Sequence, residues 1–295
     1  MKISVCIPVY NFDVRGLVTA LNREIHTYAL DAEIILIDDA SAGCAFRKIN
    51  TEIEHQVHQL IFLEENIGRS RIRNLFIKYA DGDYFLFLDC DAVIDHPDFL
   101  RKYIAEIEHS PALDLLYGNF RIAEQYSKSL RNRYSVAREI FSGERSSDIS
   151  VFKTVNFAIK KDVLIEFPFN EELTQYGYED YVFAKLLKRN GIRFLAFNNP
   201  VIHVDDTDNA VFLKKTQVGM DTLYGLIISP HNNPLIKDIR VYKAAIMLKK
   251  FKLDGVFLFV YKLAEKKIYS NLVSEQPEIR LLDIYKLAWL LRKMQ

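Results

Sequence analysis

One five-residue segment limits the folds open to this chain more than any other. Tyr84–Leu88 has the sequence Tyr-Phe-Leu-Phe-Leu, so that apolar side chains fall on both faces of an extended segment. A half-exposed strand alternates apolar and polar residues, whereas a strand buried on both faces does not. The segment is therefore predicted to be a central strand of a sheet that is covered on both sides.

Strand-like and helix-like segments alternate around this strand. Ile3–Val9 and residues 33–37 are β-rich apolar runs, and apolar residues recur at helical spacing between them, over residues 17–28. Residues 72–79 carry apolar side chains at i, i+3, i+4 and i+7, which indicates an amphipathic helix. Such alternation predicts an α/β fold with a doubly wound, mostly parallel sheet.

Further elements follow from the same patterns. A helix is predicted over residues 179–190, because Gly191 provides a typical helix end. Residues 121–150 are polar and fit either a helix or a mobile loop. The other predicted strands are residues 59–63, 113–117, 154–159, 192–197 and 201–204.

The chain changes character after residue 205. Its last ninety or so residues are rich in Lys and Leu and have little β signal, a pattern typical of helices. We therefore predict an α/β domain over residues 1–205 and a mainly helical C-terminal region over residues 206–295.

Composition excludes several classes of protein. The 39 Lys and Arg residues balance 39 Asp and Glu residues, so the chain lacks the basic surplus of a general nucleic-acid binder. Three cysteines without metal-type spacing or a disulfide framework favour a reduced, cytoplasmic setting. No apolar stretch approaches the ~18 residues of a membrane span.

Two carboxylates follow the predicted central strand directly. Asp89 and Asp91 are two residues apart, so in an extended segment their side chains project to the same side. Like charges so close need a cation or hydrogen-bond donors. A divalent ion bound to a pyrophosphate would be such a cation, and oxygen ligands suit Mg²⁺ or Mn²⁺. A turn capped by the two aspartates is the alternative, but the position after a buried strand favours the metal.

Three more clusters stand at predicted strand or helix ends, where ligands bind in open α/β sheets. Asp39 fits either an acceptor for a nucleobase N–H or, with its neighbour, a helix cap. Glu179 and Asp180 fit either a general base or carboxylates that stabilise the helix dipole. His203 alone is more typical of a structural histidine than of a metal ligand.

Taken in order, these clusters resemble the family 2 glycosyltransferases of the GT-A fold. The resemblance covers residues 1–205, and the order and spacing of its motifs make it specific. The motifs are Pro8-Val9-Tyr10-Asn11, Asp38-Asp39-Ala40-Ser41, Asn66-Ile67-Gly68 leading to Arg73-Asn74, Asp89-Cys90-Asp91, Glu179-Asp180 and His203.

The resemblance implies a donor site at the carboxyl end of the sheet. By similarity, Tyr10 and Asp39 contact the nucleobase, Asp89 contacts the ribose or the sugar, and Pro8 belongs to the same donor-binding segment. Arg73 matches an arginine near the base or the phosphates, and a salt bridge on the helix surface is the alternative. Tyr10 also fits a packing role.

The resemblance also implies the metal site and the base. Asp91 would bind a divalent metal, Mn²⁺ or Mg²⁺, and His203 matches a position that completes the metal site in some members. Asp180 would be the catalytic base of an inverting displacement, with Glu179 as the competing candidate.

The function implied is transfer of a sugar from a nucleotide-diphosphate sugar, expected to be UDP-linked, to a hydroxyl acceptor. A glycan or lipid-linked acceptor and a role in cell-surface polysaccharide synthesis are expected. The alternatives are a nucleotidyltransferase, which would need a Gly-rich phosphate loop after the first strand, and an inactive sugar-nucleotide-binding protein. Lysines that interleave with apolar residues over residues 241–295 fit a solvated helical face or a peripheral contact with the inner membrane face.

Overall fold

The computed structural model describes residues 1–295 apart from the side chain of Cys44. Its contacts divide the chain into two compact units, each made of three segments. The first comprises Met1–Ala123, Ile140–Thr174 and Glu179–Val204, and the second comprises Glu124–Glu139, Gln175–Tyr178 and Asp205–Gln295. The second unit therefore includes two segments from within residues 1–205, and the domain boundary at residue 205 remains a prediction.

The first unit contains the strands. They are β1 (Ile3–Val9), β2 (Ala32–Asp38), β3 (Gln59–Phe62), β4 (Tyr84–Leu88), β5 (Ala92–Val93), β6 (Leu115–Tyr117), β7 (Phe120–Ile122), β8 (Arg145–Ser146), β9 (Asn156–Lys160), β10 (Phe194–Phe197) and β11 (Val201–His203). The bounds of β1 and β4 coincide with those predicted from the apolar runs.

Eight of these strands form one sheet, in the order β3-β2-β1-β4-β9-β6-β10-β8. Neighbours from β3 to β4 are parallel, as are β6 and β10. Strand β9 is antiparallel to both of its neighbours, and β8 is antiparallel to β10. Strands β5, β11 and β7 form a small second sheet. The predicted α/β class with a mostly parallel sheet is confirmed, whereas the small sheet is not expected from the apolar pattern.

Helices of the first unit cover the large sheet. They are α1 (Arg15–Tyr28), α2 (Cys44–Thr51), α3 (Arg69–Tyr79), α4 (Phe99–His109), α6 (Lys161–Glu166) and α7 (Glu179–Arg189). Helix α7 ends within one residue of the predicted end, before Gly191, which has a φ of 71°.

The central strand is buried on both faces, as its sequence predicts. All five residues of β4 are buried. The ring of Phe87 meets the edge of Phe76 on α3 at 5.6 Å and stacks on Phe157 of β9 at 4.9 Å. Burying each such ring stabilises the fold by roughly 2–3 kcal/mol. The position of β4 is therefore held by aromatic packing, and its carboxyl end is fixed with it.

The second unit is helical. Its helices are α5 (Leu130–Arg138), α8 (Asn209–Ile228), α9 (Asn233–Ile236), α10 (Arg240–Lys250), α11 (Asp254–Leu272) and α12 (Ile279–Lys293). Helix α8 begins after Asp208, whose carboxylate accepts the N–H groups of Ala210 and Val211. The apolar core of the second unit includes Phe212, Tyr261 and Leu282. Among the described residues, no helix combines the length and apolar character needed to cross a bilayer.

A buried polar network ties the amino ends of three strands together. Glu33 accepts hydrogen bonds from Ser4 Oγ at 2.5 Å and from Asp81 N at 2.8 Å, and it pairs with Lys2 Nζ at 2.6 Å. Desolvation raises the pKa of Glu33, but the bonds from Lys2 and Ser4 outweigh it and hold the pKa below its usual value. Ionised Glu33 thus stabilises the fold at neutral pH, and this contribution is lost as pH falls through the lowered pKa.

Gly82 lies against this network without room for a side chain. A Cβ there would stand 2.6 Å from the Ser4 nitrogen and 2.9 Å from the Lys2 carbonyl oxygen. We expect Gly82→Ala to lower the free energy of unfolding by about 1–3 kcal/mol in urea denaturation. The matched control is Gly16→Ala in α1, where nothing lies within 4 Å of the added Cβ. That variant should be unchanged or more stable, and equal losses in both would contradict the steric explanation.

Candidate functional site

The site begins where β4 ends. The Asp89 N–H donates to the Val155 carbonyl beside β9, and the Ala92 N–H donates to the Asp89 carbonyl, so the chain turns before β5 begins. Strand β5 then pairs with β11 in a register that places His203 opposite Ala92. The Val204 N–H also donates to the Asp91 carbonyl at 3.0 Å. The small sheet thereby carries His203 to the end of the central strand.

Asp89, Asp91 and His203 converge as a group that could hold a metal ion. One ligand atom from each lies within 4.8 Å of the others. The Asp91 Oδ2 is 3.2 Å from His203 Nε2, and the imidazole packs edge-on against Phe120 with 5.8 Å between ring centroids. The Asp91 Oδ1 is buried and makes no hydrogen bond among the described residues. Two carboxylates, one with an unused buried oxygen, and an imidazole suit a divalent ion such as Mn²⁺ or Mg²⁺.

A buried arginine balances part of this negative charge. Arg73, on α3, is only 3% exposed, and its Nη2 lies 3.0 Å from Asp89 Oδ1. The same guanidinium donates to the Arg69 carbonyl at 3.2 Å and lies over the Phe169 ring. Arg73 therefore does form a salt bridge, but in the interior and not on the helix surface.

The electrostatics of Asp89 reflect its crowded position. Desolvation raises the pKa of its carboxyl, Arg73 opposes that rise, and Asp91 adds to it. The net direction is upward, so that the ionised pair is held less easily than two solvated aspartates. A cation bound next to the two carboxylates would counteract this effect.

The two acidic residues at the end of β2, Asp38 and Asp39, differ in their contacts. Asp38 accepts hydrogen bonds from Ser41 N and Ser41 Oγ, both at 2.7 Å, so it caps the following turn. Asp39 accepts the N–H groups of Ile67 at 2.7 Å and Gly68 at 3.1 Å, one on each oxygen. Desolvation raises the pKa of Asp39, and these two hydrogen bonds counteract it. Asp39 thus fixes the turn that leads into α3, and each oxygen keeps a second lone pair for a ligand.

Tyr10 lies directly after β1, next to the point where strand order reverses from β2-β1 to β1-β4. Tyr10 is 49% exposed, so that about half of its surface is open to solvent. Pro8 is half-buried within β1. The following residue, Asn11, has a φ of 52° and receives a hydrogen bond from Ala42 N at 2.6 Å. An exposed aromatic ring therefore stands on a turn that the Asn11–Ala42 bond holds in place.

Glu179 and Asp180 begin α7, as predicted. Glu179 is buried, and its Oε1 lies 3.4 Å from Arg69 Nη1 while its Oε2 makes no hydrogen bond among the described residues. Asp180 accepts the Tyr181 N–H, and its Oδ2 lies 3.7 Å from Lys153 Nζ. Arg73, Asp89, Asp91 and His203 thus form one linked group, and Arg69, the partner of Glu179, also accepts a hydrogen bond from Arg73 through its carbonyl.

Lys153 is a candidate site residue that the sequence does not point to. It lies just before β9, and its ammonium also donates to the Phe152 carbonyl. Its neighbour in the site, Asp180, is distant in sequence and belongs to another element. No periodic or turn signal marks such a pair, and only the strand order of the sheet brings it together.

Comparison with known proteins matches the chain to a protein family and to several relatives. The profile described as Glycosyl transferase family 2 matches residues 4–167. An uncharacterized glycosyltransferase of Haemophilus influenzae is 35% identical over 106 residues, which are 35% of this chain and 40% of that protein. Poly-beta-1,6-N-acetyl-D-glucosamine synthase of Staphylococcus aureus is 32% identical over 121 residues, which are 41% of this chain and 27% of the relative. The chain thus spans less than half the length of these curated relatives.

Solved structures share the fold. S. aureus TarS 1-349 in complex with UDP superposes with a TM-score of 0.54 at 18% identity, covering 99% of this chain and 89% of that one. Mannosyltransferase PcManGT from Pyrobaculum calidifontis, in complex with GDP-Man and Mn²⁺, gives 0.54 at 16% identity, with 97% and 86% covered. At such identities the likeness is one of fold, and that fold is GT-A.

The ion pair predicts opposite effects for the two aspartates of the site. Asp89→Asn leaves the buried Arg73 without its carboxylate and should lower the free energy of unfolding by roughly 2–3 kcal/mol. This loss is smaller than the ~3–5 kcal/mol of a fully buried pair, because Asp89 is 28% exposed. Asp91→Asn removes a like charge beside Asp89, so stability should be unchanged or higher. Urea denaturation without divalent ions measures both, and equal losses would contradict the assignment of Arg73 to Asp89.

Proposed function

Because the chain belongs to glycosyl transferase family 2, we propose that it transfers a sugar from a uridine-diphosphate sugar to a hydroxyl acceptor, with inversion at the anomeric carbon. The observation that carries the proposal is the convergence of Asp89, Asp91 and His203 at the carboxyl end of the central strand. In open α/β sheets, ligands bind at that edge, next to the point where strand order reverses.

Asp91 and His203 would hold the divalent ion, Mn²⁺ or Mg²⁺, with Asp89 beside them to contact the ribose or the sugar. Such an ion supplies positive charge that stabilises the departing diphosphate. The buried, unbonded Oδ1 of Asp91 supports this assignment. Support also comes from the Mn²⁺ in PcManGT, whose fold is shared. In this arrangement Arg73 favours the ionised form of Asp89 and holds its carboxylate in position.

Tyr10 and Asp39 would bind the nucleobase of the donor. The exposed ring of Tyr10 offers a stacking surface, and a free lone pair on Asp39 would accept the uracil N3–H. Pro8 shapes the strand end beneath them. The complexes of TarS with UDP and with UDP-GlcNAc support a uridine donor, whereas PcManGT takes GDP-Man.

Asp180 would act as the general base of the transfer. It would accept the proton of the acceptor hydroxyl while that oxygen attacks the anomeric carbon and the bond to the diphosphate breaks. Lys153, 3.7 Å away, keeps a positive charge beside the carboxylate. Glu179 is the competing candidate, although its carboxylate is buried and paired with Arg69.

The acceptor is proposed to be a glycan or a lipid-linked saccharide, and the product a cell-surface polysaccharide or glycan. The poly-N-acetylglucosamine synthase among the relatives supports this class of product. A lipid-linked acceptor would place the enzyme at a membrane surface.

Donor binding should depend on the divalent ion and on contacts with the nucleobase. We expect chelator to weaken UDP affinity by ~10-fold or more, and His203→Ala to weaken Mn²⁺ affinity by about as much, or about 1.4 kcal/mol. Tyr10→Ala should weaken UDP binding ~10-fold through lost stacking. Calorimetric titration measures these affinities, and nucleotide release from UDP-GlcNAc and GDP-Man with and without Mn²⁺ tests the proposed function.

The contrary results are specific. UDP affinity that survives chelation would remove the metal from donor binding, and equal affinities for UDP and GDP would remove the uridine assignment. Because Asp39 also fixes the turn at Ile67, the informative quantity for Asp39→Ala is the ratio of UDP to GDP affinity. An unchanged ratio would return Asp39 to a purely structural role.

Removing the proposed general base, Asp180, should abolish sugar transfer and leave donor binding intact. We expect Asp180→Asn to bind the donor with near-normal affinity and to lose ~10²–10⁴-fold in kcat. Glu179→Gln is the matched control on the neighbouring residue, and its loss should be smaller. Initial rates of donor consumption measure both. A nearly normal rate in Asp180→Asn, or a product that keeps the donor's anomeric configuration by NMR, would overturn the mechanism.

A further inference from the structure

The helical unit exposes many large apolar side chains around one turn. Between residues 246 and 263, eight of them are 44% to 73% exposed. We call this set the α10–α11 surface. It consists of Ile246, Met247, Phe251, Leu253, Val256, Phe259, Val260 and Leu263. Isolated exposed apolar residues are ordinary, whereas a cluster of this size marks an interaction site.

Helix α11 is apolar on two opposite sides. One side packs into the core of the helical unit through Tyr261, Ile268 and Leu272. The other carries Val256, Phe259, Val260 and Leu263 at i, i+3, i+4 and i+7, so these four form one stripe. A continuous apolar stripe on a helix ordinarily packs against another apolar surface. The stripe therefore needs an occupant.

Basic residues surround the stripe. Lys250, Lys252, Lys262, Lys266 and Lys267 are exposed, and none of them forms an ion pair in the part of the chain that the structure describes. The two acidic residues of the same stretch are already engaged. Asp254 lies 4.0 Å from Lys249, and Glu265 pairs with Arg292 at 2.9 Å. The α10–α11 surface therefore presents uncompensated positive charge beside apolar side chains.

This combination decides between occupants. A second copy of the chain packed symmetrically would place the same patch on itself, and its lysines would then face lysines. An anionic bilayer offers the complement of both features, because apolar side chains enter the interface while lysine stems reach the headgroups.

We propose that the α10–α11 surface binds anionic membranes peripherally. Phe259, Val260 and Leu263 would insert at the level of the acyl boundary, and the lysines would contact lipid phosphates. The proposal goes beyond the glycosyl transfer proposed above. It does not depend on which residues bind the donor or the metal, or on which residue is the general base.

The test is co-sedimentation with vesicles. We expect wild-type protein to bind vesicles that contain phosphatidylglycerol and to bind phosphatidylcholine vesicles far more weakly. Lys262→Gln, Lys266→Gln and Lys267→Gln combined should weaken partitioning roughly 100-fold, from about fivefold for each charge. Phe259→Glu with Leu263→Glu should weaken it by roughly 100-fold or more.

Matched controls lie elsewhere on the chain. Val211→Glu and Ile165→Glu change exposed apolar residues outside the surface, and Lys48→Gln, Lys214→Gln and Lys237→Gln remove three exposed lysines. These variants should bind like wild type. All of the exposed positions tolerate such changes sterically, and circular dichroism checks that each variant is folded.

Three results would overturn the proposal. They are no binding of wild type to anionic vesicles, equal binding to both vesicle types, and a dimer in sedimentation equilibrium that Phe259→Glu with Leu263→Glu dissociates. Metal-dependent nucleotide release is measured on the same samples. Its survival in variants that leave the vesicles shows that membrane binding and transfer fail separately.

Discussion

The ion pair between Arg73 and Asp89 is the interaction on which the candidate site depends. A wholly buried strand delivers two carboxylates to one point, and one of them is tolerated because a guanidinium stands 3.0 Å away. That guanidinium is in place because α3 begins after Gly68, which has a φ of 83° and whose N–H is held by Asp39. Asp39 thus acts on Asp89 through a turn and a helix, whether or not it also contacts a base.

The third member of the group arrives by a different route. His203 is brought beside Asp91 by strands of only two or three residues, and its place is set by the register of β5 with β11. Strands so short bury little surface of their own. Within the small sheet, Phe120 of β7 packs against the imidazole. A side chain on such a small sheet is therefore positioned by long-range strand pairing.

These two routes explain what the sequence could and could not predict. The sequence predicts β1 and β4 to the residue, because both are short, mainly apolar runs of strand length that end at polar residues. Of the small sheet, the sequence predicts only β11, as a strand over residues 201–204, since the two or three residues of β5 and β7 are too few to show a periodicity. Arg73 was placed near the site but assigned to a helix surface or a donor contact, because charge ordinarily implies exposure. Its burial depends on a partner from another element, as does the contact of Lys153 with Asp180.

The two edges of the large sheet are chemically unequal, and this inequality indicates where the site lies without any comparison of sequences. At the amino edge, Glu33 has partners for both oxygens and its pKa is lowered. At the carboxyl edge, Asp89 has a raised pKa and Asp91 keeps a buried oxygen without a hydrogen bond. Both edges bury carboxylates at strand ends, so burial alone does not distinguish them. The distinction is that Glu33 has partners on both oxygens, whereas Asp91 keeps an oxygen that a bound cation could contact.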